Sequence, residues 1–101
     1  MKDIVYDVNQ QRIIALTPTR GLYRNTDNFI RLVFRFSADW AGCVKGIVFL
    51  KDTEEIPVML KNDSVTVSEE LTDDDIRFYI VGKKKGYRIQ TQEKTLKLEV
   101  S

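Results

Sequence analysis

The sequence predicts an all-β fold, a single antiparallel β-sandwich of about eight short strands occupying residues 1–101 as one domain. Three observations predict it. Apolar and polar residues alternate, most clearly at Ile30, Leu32, Phe34 and Phe36, which fall on one face of an extended strand. Turn-forming residues interrupt the chain at roughly seven- to twelve-residue intervals, the spacing of a sandwich or barrel. The only candidate helical turns are too short to stand alone. A chain this size buries roughly 60–70% of its unfolded surface, enough for one core. The small size favours two sheets about 10 Å apart over the alternative, a small β-barrel.

In chain order, Ile4–Val8 and Arg12–Leu16 read as a first hairpin turned by Asn9-Gln10-Gln11. Pro18 and Gly21 end it, because proline lacks a ladder donor and glycine permits positive φ. Residues 22–28 read as loop. The strand Phe29–Phe36 organises the rest, with Arg31 and Arg35 on the face opposite its apolar row. A short polar break leads to the only tryptophan, Trp40, read as a core plug, and Cys43 reads as a small apolar residue. Val44–Lys51 is almost continuously apolar, which suggests a strand covered on both faces or central in the sandwich.

Ile56–Lys61 returns from a charged turn, and Pro57 places it at an edge or near a strand start. Val65–Val67 is short. Ser68–Leu71 and Thr72–Asp75 are the candidate helical turns, with Ser68 and Thr72 as caps and acids suited to a first turn. Ile76–Val81 and Tyr87–Thr91 flank a hairpin tip, Gly82-Lys83-Lys84-Lys85-Gly86, and Thr95–Val100 alternates as a final strand.

The chemistry points to binding. The chain has no histidine, which removes the commonest general base and metal ligand. It has no glycine-rich phosphate loop, and the reading is a non-enzymatic protein without cofactor or metal. Sixteen basic and fifteen acidic residues nearly cancel, so direct nucleic-acid binding is not expected. No apolar run approaches the ~20 residues of a membrane span, and acids interrupt the segment where a signal peptide would be apolar. Three charged groups are candidate partner sites. Glu69, Glu70, Asp73, Asp74 and Asp75 form an acidic run. Lys83, Lys84 and Lys85 form a positive tip suited to an anionic protein surface. Arg31 and Arg35 lie two pleats apart, about 13 Å, and suit carboxylates across an interface.

The run from Phe34 through Asp39-Trp40-Ala41-Gly42 to Lys45-Gly46-Ile47-Val48-Phe49 resembles a family. So do Val65-Thr66-Val67-Ser68-Glu69-Glu70-Leu71 and Gly86-Tyr87-Arg88-Ile89-Gln90-Thr91, in the same order along roughly two thirds of the chain. The family is that of small modules in tailed phages and prophages of Gram-positive bacteria, the N-terminal domains of baseplate-upper and head- or tail-fibre proteins. Ser68 stands where family members often carry proline. The resemblance implies an immunoglobulin-like sandwich that attaches receptor-binding parts to the virion. It implies virion subunits as partners, with homo-oligomers among them, and a location in the infected bacterial cytoplasm or the assembled virion. No stalk or receptor-binding head follows the sandwich in this sequence, so a complete fibre is not expected. The alternative is a phage-encoded inhibitor of a host defence nuclease such as a CRISPR effector. There the acidic run would mimic phosphates and occlude a nucleic-acid-binding surface.

Overall fold

The computed structural model describes residues 1–100, and they form an all-β sandwich of two sheets. The strands are β1 (Lys2–Asn9), β2 (Arg12–Ala15), β3 (Ile30–Phe36), β4 (Val44–Lys51), β5 (Glu54–Met59), β6 (Ser64–Thr66), β7 (Ile76–Lys84), β8 (Tyr87–Gln90) and β9 (Lys94–Leu96). The first sheet has the order β2-β1-β3-β6. The second has the order β5-β4-β7-β8, and β9 follows β8 along the same side of β7.

All pairings are antiparallel except one: β1 and β3 run parallel, from Lys2 beside Ile30 to Val8 beside Phe36. The sandwich is antiparallel as expected but for this one pair, and the cause is simple. The β1–β2 hairpin has already returned the chain to the end where β1 began. A strand that then docks on the free side of β1 must run in the same direction as β1.

The alternation expected in β3 buries Ile30, Leu32 and Phe34. They meet Ile4, Tyr6 and Val8 from β1, and Ile47, Phe49, Phe78 and Ile80 from the opposite sheet, in one core. Tyr6 stacks on Phe34 with ring centroids 5.6 Å apart, and Phe78 sits edge-on to Tyr6 at 5.5 Å and to Phe34 at 6.0 Å. Offset and edge-on contacts of this kind add to the burial itself because the ring quadrupoles are complementary.

Trp40 ends a 3₁₀ turn (Ala38–Trp40) in the corner between β3 and β4 and is fully buried. Its indole N–H donates to the Gln10 carbonyl at 2.8 Å, so the corner is bolted to the turn of the first hairpin. Ser37 completes the contact, accepting the Gln10 N–H at 3.1 Å and donating to Asp39 at 3.0 Å. Gln10 takes a φ of +56°, a left-handed conformation that among the described residues otherwise falls only to glycine, asparagine and aspartate.

Local expectations are corrected in three places. Of the two candidate helical turns, only Glu69–Leu71 forms, as 3₁₀, and Thr72–Asp75 is irregular. The Ser68 side chain makes no capping bond, and the Glu69 N–H is taken at 2.8 Å by Asp27, from a distant loop. The expected final strand Thr95–Val100 is regular only to Leu96, after which the chain leaves β7 and Glu99 pairs with Tyr23. Between β8 and β9 the register on β7 slips by one residue, with Thr91 Oγ1 accepting the Ile80 N–H at 3.0 Å where the ladder breaks.

Candidate functional site

The two outer faces of the sandwich differ in chemistry. On the first sheet the outward positions of β1 and β3 carry Asp3, Val5, Asp7, Arg31, Val33 and Arg35. The parallel register sets Asp3 beside Arg31 and Asp7 beside Arg35. Arg31 clamps Asp3 through two bonds, Nε to Oδ1 at 2.9 Å and Nη2 to Oδ2 at 2.7 Å. That fork holds the Asp3 carboxyl below its usual range and lifts the Arg31 guanidinium above its own. Of the two candidate arginines, Arg31 is therefore engaged within the chain and Arg35 is exposed. On this face the acids of β1 thus stand opposite the arginines of β3, with Val5 beside Val33 between them.

The second sheet turns out a different surface. Ile47 and Phe49 point inward, so Val44, Gly46, Val48 and Leu50 of β4 point outward. The same alternation exposes Glu55, Pro57 and Met59 on β5, Arg77, Tyr79, Val81 and Lys83 on β7, and Arg88 and Gln90 on β8. The middle is apolar and half-buried at Val48, Tyr79 and Val81, and opens toward one end, where Val44 is 62% exposed and Met59 60%. A groove of about 510 Å³ runs over it, between Pro57 and Met59 on one side and Tyr79 and Val81 on the other. Gly46 supplies no side chain to fill its floor. Of the two readings of β4, covered on both faces or central, the second holds. The strand is central within its sheet, between β5 and β7, but only its inner face is covered.

The edge of this face is blunted. The Leu60 N–H donates to the Lys45 carbonyl, which fixes the alternation of hydrogen-bonded pairs between β4 and β5. Pro57, opposite Val48, falls on a non-bonded pair, so its missing donor lies on the free edge. No ladder bond is lost, and the edge lacks the central N–H that a docking strand would need. The expectation that Pro57 marks an edge strand holds.

The lysine tip divides. Lys84 turns inward, its ammonium donating to the Ala41 carbonyl at 3.0 Å and lying 4.9 Å from the Tyr87 ring centre. Lys83 lines the apolar groove with Arg88, its register partner across β7 and β8. Lys85 sits in the turn with Gly86, whose φ is +72°. At the other end of the face the Tyr79 hydroxyl donates to Glu55 at 2.7 Å, which raises the phenol's pKa. Arg77 pairs with Glu93 at 3.2 Å.

The acidic run is largely tied into the fold. Asp73 pairs with Lys51 at 3.1 Å, and Lys51 also donates to the Glu70 carbonyl. Asp74 pairs with Arg24 at 3.2 Å, and Asp75 accepts the Leu98 N–H at 2.9 Å. The Glu69 and Glu70 side chains are exposed. Asp73, Asp74 and Asp75 line a polar cavity of about 240 Å³ with Asp52, Lys51 and Arg77. Among the described residues no three acids, cysteines or histidines are grouped to hold a metal ion, and no helix is long and apolar enough to cross a membrane.

Thr72 organises this end of the molecule. Its buried hydroxyl accepts the Thr26 N–H at 3.1 Å and lies 2.7 Å from the Thr26 carbonyl and 2.8 Å from that of Glu69. Thr72→Val keeps the volume but strands these backbone groups. The expected cost is about 1–3 kcal/mol, read as a lowered urea midpoint, and a variant as stable as the parent would remove Thr72 from this role.

The sequence reading missed the groove residues Val44, Gly46, Val48, Pro57, Met59, Tyr79 and Val81. The signal was present: β4 is apolar at both alternations, yet nothing in the chain was left to cover its second face. Comparisons of the chain with protein-family models, curated proteins and solved structures return no match.

Proposed function

We propose that this protein is a non-enzymatic protein-binding module that docks through the outer face of its second sheet. The observation that carries this reading is the contrast between the two outer faces. One sets the acids of β1 against the arginines of β3 across its central strands, whereas the other leaves a contiguous apolar groove rimmed by Lys83, Arg88 and Glu55. Contiguous exposed apolar surface with a polar rim is the usual mark of a protein interface. The resemblance of the sequence to phage attachment modules supplies the partner class: virion subunits of baseplate, tail or fibre. Phosphate mimicry by the acidic run has less support, since Asp73, Asp74 and Asp75 are engaged inside the molecule.

Affinity capture from phage-infected bacterial lysate, with the tagged chain and its Val48→Asp variant side by side, tests the reading. Val48 lies at the centre of the groove with its side chain outward, so the charge should abolish docking while the melting curve shows a folded protein. Recovery of virion subunits by the parent alone is expected. Equal recovery by both would reject the face as the docking site.

A further inference from the structure

The charges around the groove say what fits it. Lys83 and Arg88 occupy one corner of the face, beside Val44. Glu55 occupies the diagonally opposite corner, across from Leu50 on the outer strand β5. Three pleats along the strands, about 20 Å, and three strand spacings, about 14 Å, separate the corners. Neither Lys83 nor Arg88 makes an ion pair among the described residues, and Glu55 accepts only the neutral Tyr79 hydroxyl. Arg77, the remaining charge on this face, is already matched by Glu93.

We infer that, in the free protein, the occupant of this face is a second copy of the same chain, packed face to face about a two-fold axis and exchanging with the virion subunit. The inference rests on the docking reading above. An isologous interface requires one surface to complement itself. Here a two-fold axis in the interface plane, perpendicular to the line that joins the charged corners, exchanges those corners. Lys83 and Arg88 of each copy then meet Glu55 of the other, twice over, and the apolar centres around Val48 cover one another. The strands of the two faces cross steeply, as in orthogonally packed sheets. Self-association through the edge instead is disfavoured by Pro57, whose missing donor faces outward. Thirteen outward positions on the four strands, at roughly 33 Å² each, give each copy a face of about 430 Å² in projection. The pair therefore buries roughly 850 Å², below the ~1,000 Å² of a stable specific interface, which fits an exchanging dimer rather than a permanent one.

Sedimentation velocity over a concentration series tests this on the whole chain. The parent should show a reversible dimer with a dissociation constant on the order of 1–100 µM, as expected for an interface at the small end of the range. Val48→Asp should be monomeric throughout. Lys83→Glu/Arg88→Glu makes both corners acidic and Glu55→Lys makes both basic, so each alone should dimerise at least ~10-fold more weakly. An equimolar mixture of the two should recover the parent's affinity, because every corner again meets its opposite. A parent that stays monomeric to about 1 mM overturns the inference, as do charge variants that self-associate like the parent. If the parent is monomeric but Val48→Asp still loses virion subunits in the capture experiment, the second copy falls and the docking face stands with a foreign occupant. If Val48→Asp changes neither measurement, both fall.

Discussion

Replacing Trp40 with alanine should destabilise the protein by about 3–5 kcal/mol, the range for deleting a large buried aromatic side chain. That is a large part of the 5–15 kcal/mol that holds a typical domain together. Two losses combine. The indole is fully buried, with its ring 5.0 Å from Phe36 and against the Gly82 backbone, so truncation opens a cavity that the surrounding sheets cannot close. The indole N–H is also the partner of the Gln10 carbonyl, and its removal leaves the turn of the first hairpin without its bolt to the corner. Trp40→Phe separates the terms: it keeps most of the ring and forfeits the hydrogen bond, and it should fall between the parent and the alanine variant. Urea unfolding of all three is the measurement. An alanine variant within ~1 kcal/mol of the parent would mean that the corner collapses onto the space, and that the tryptophan does not brace it.

Trp40 was legible as a core plug because a lone tryptophan beside a glycine turn has few other ways to be satisfied. The strands were legible for a similar reason. Alternation in Ile30–Phe36 and Ile76–Val81 is a local consequence of one covered face, and it survives folding unchanged. What the local pattern does not contain is the identity of the neighbour. Nothing in Ile4–Val8 or Ile30–Phe36 specifies that they pair in parallel, since that follows from where β2 leaves the chain. The acidic run shows the same limit at the level of a site. Its composition describes a solvated turn, but Asp73, Asp74 and Asp75 find Lys51, Arg24 and the Leu98 N–H only once distant loops converge. The groove was hidden by the opposite error. An apolar β4 reads as doubly covered or as central, and the first alternative left its outer face out of view, when the remaining strands were just enough to cover it once.

Gly82→Ala should also destabilise strongly, and the sign is the informative part. Glycine inside a strand is ordinarily a weakness, and alanine there removes backbone entropy from the unfolded chain. Gly82 lies within β7, and its φ lies outside the left-handed range, so an L-residue fits the backbone. The space does not accept one. A Cβ at this position would lie 2.7 Å from Cε3 and 2.9 Å from Cζ3 of Trp40, and 3.2 Å from the Cys43 Cβ. The ring cannot swing clear, because its N–H is held by Gln10 and its neighbours are Phe36 and Cys43. Overpacking of this kind costs about 1–3 kcal/mol, more where the neighbours are rigid. The cost should depend on the tryptophan. In a Trp40→Leu background the smaller side chain leaves room for the methyl, and Gly82→Ala should become nearly neutral, a coupling of about 1–3 kcal/mol in a double-mutant cycle. Additive effects would place the penalty elsewhere in β7, whereas the expected coupling shows that one glycine in the second sheet is shaped by one ring in the corner that joins it to the first.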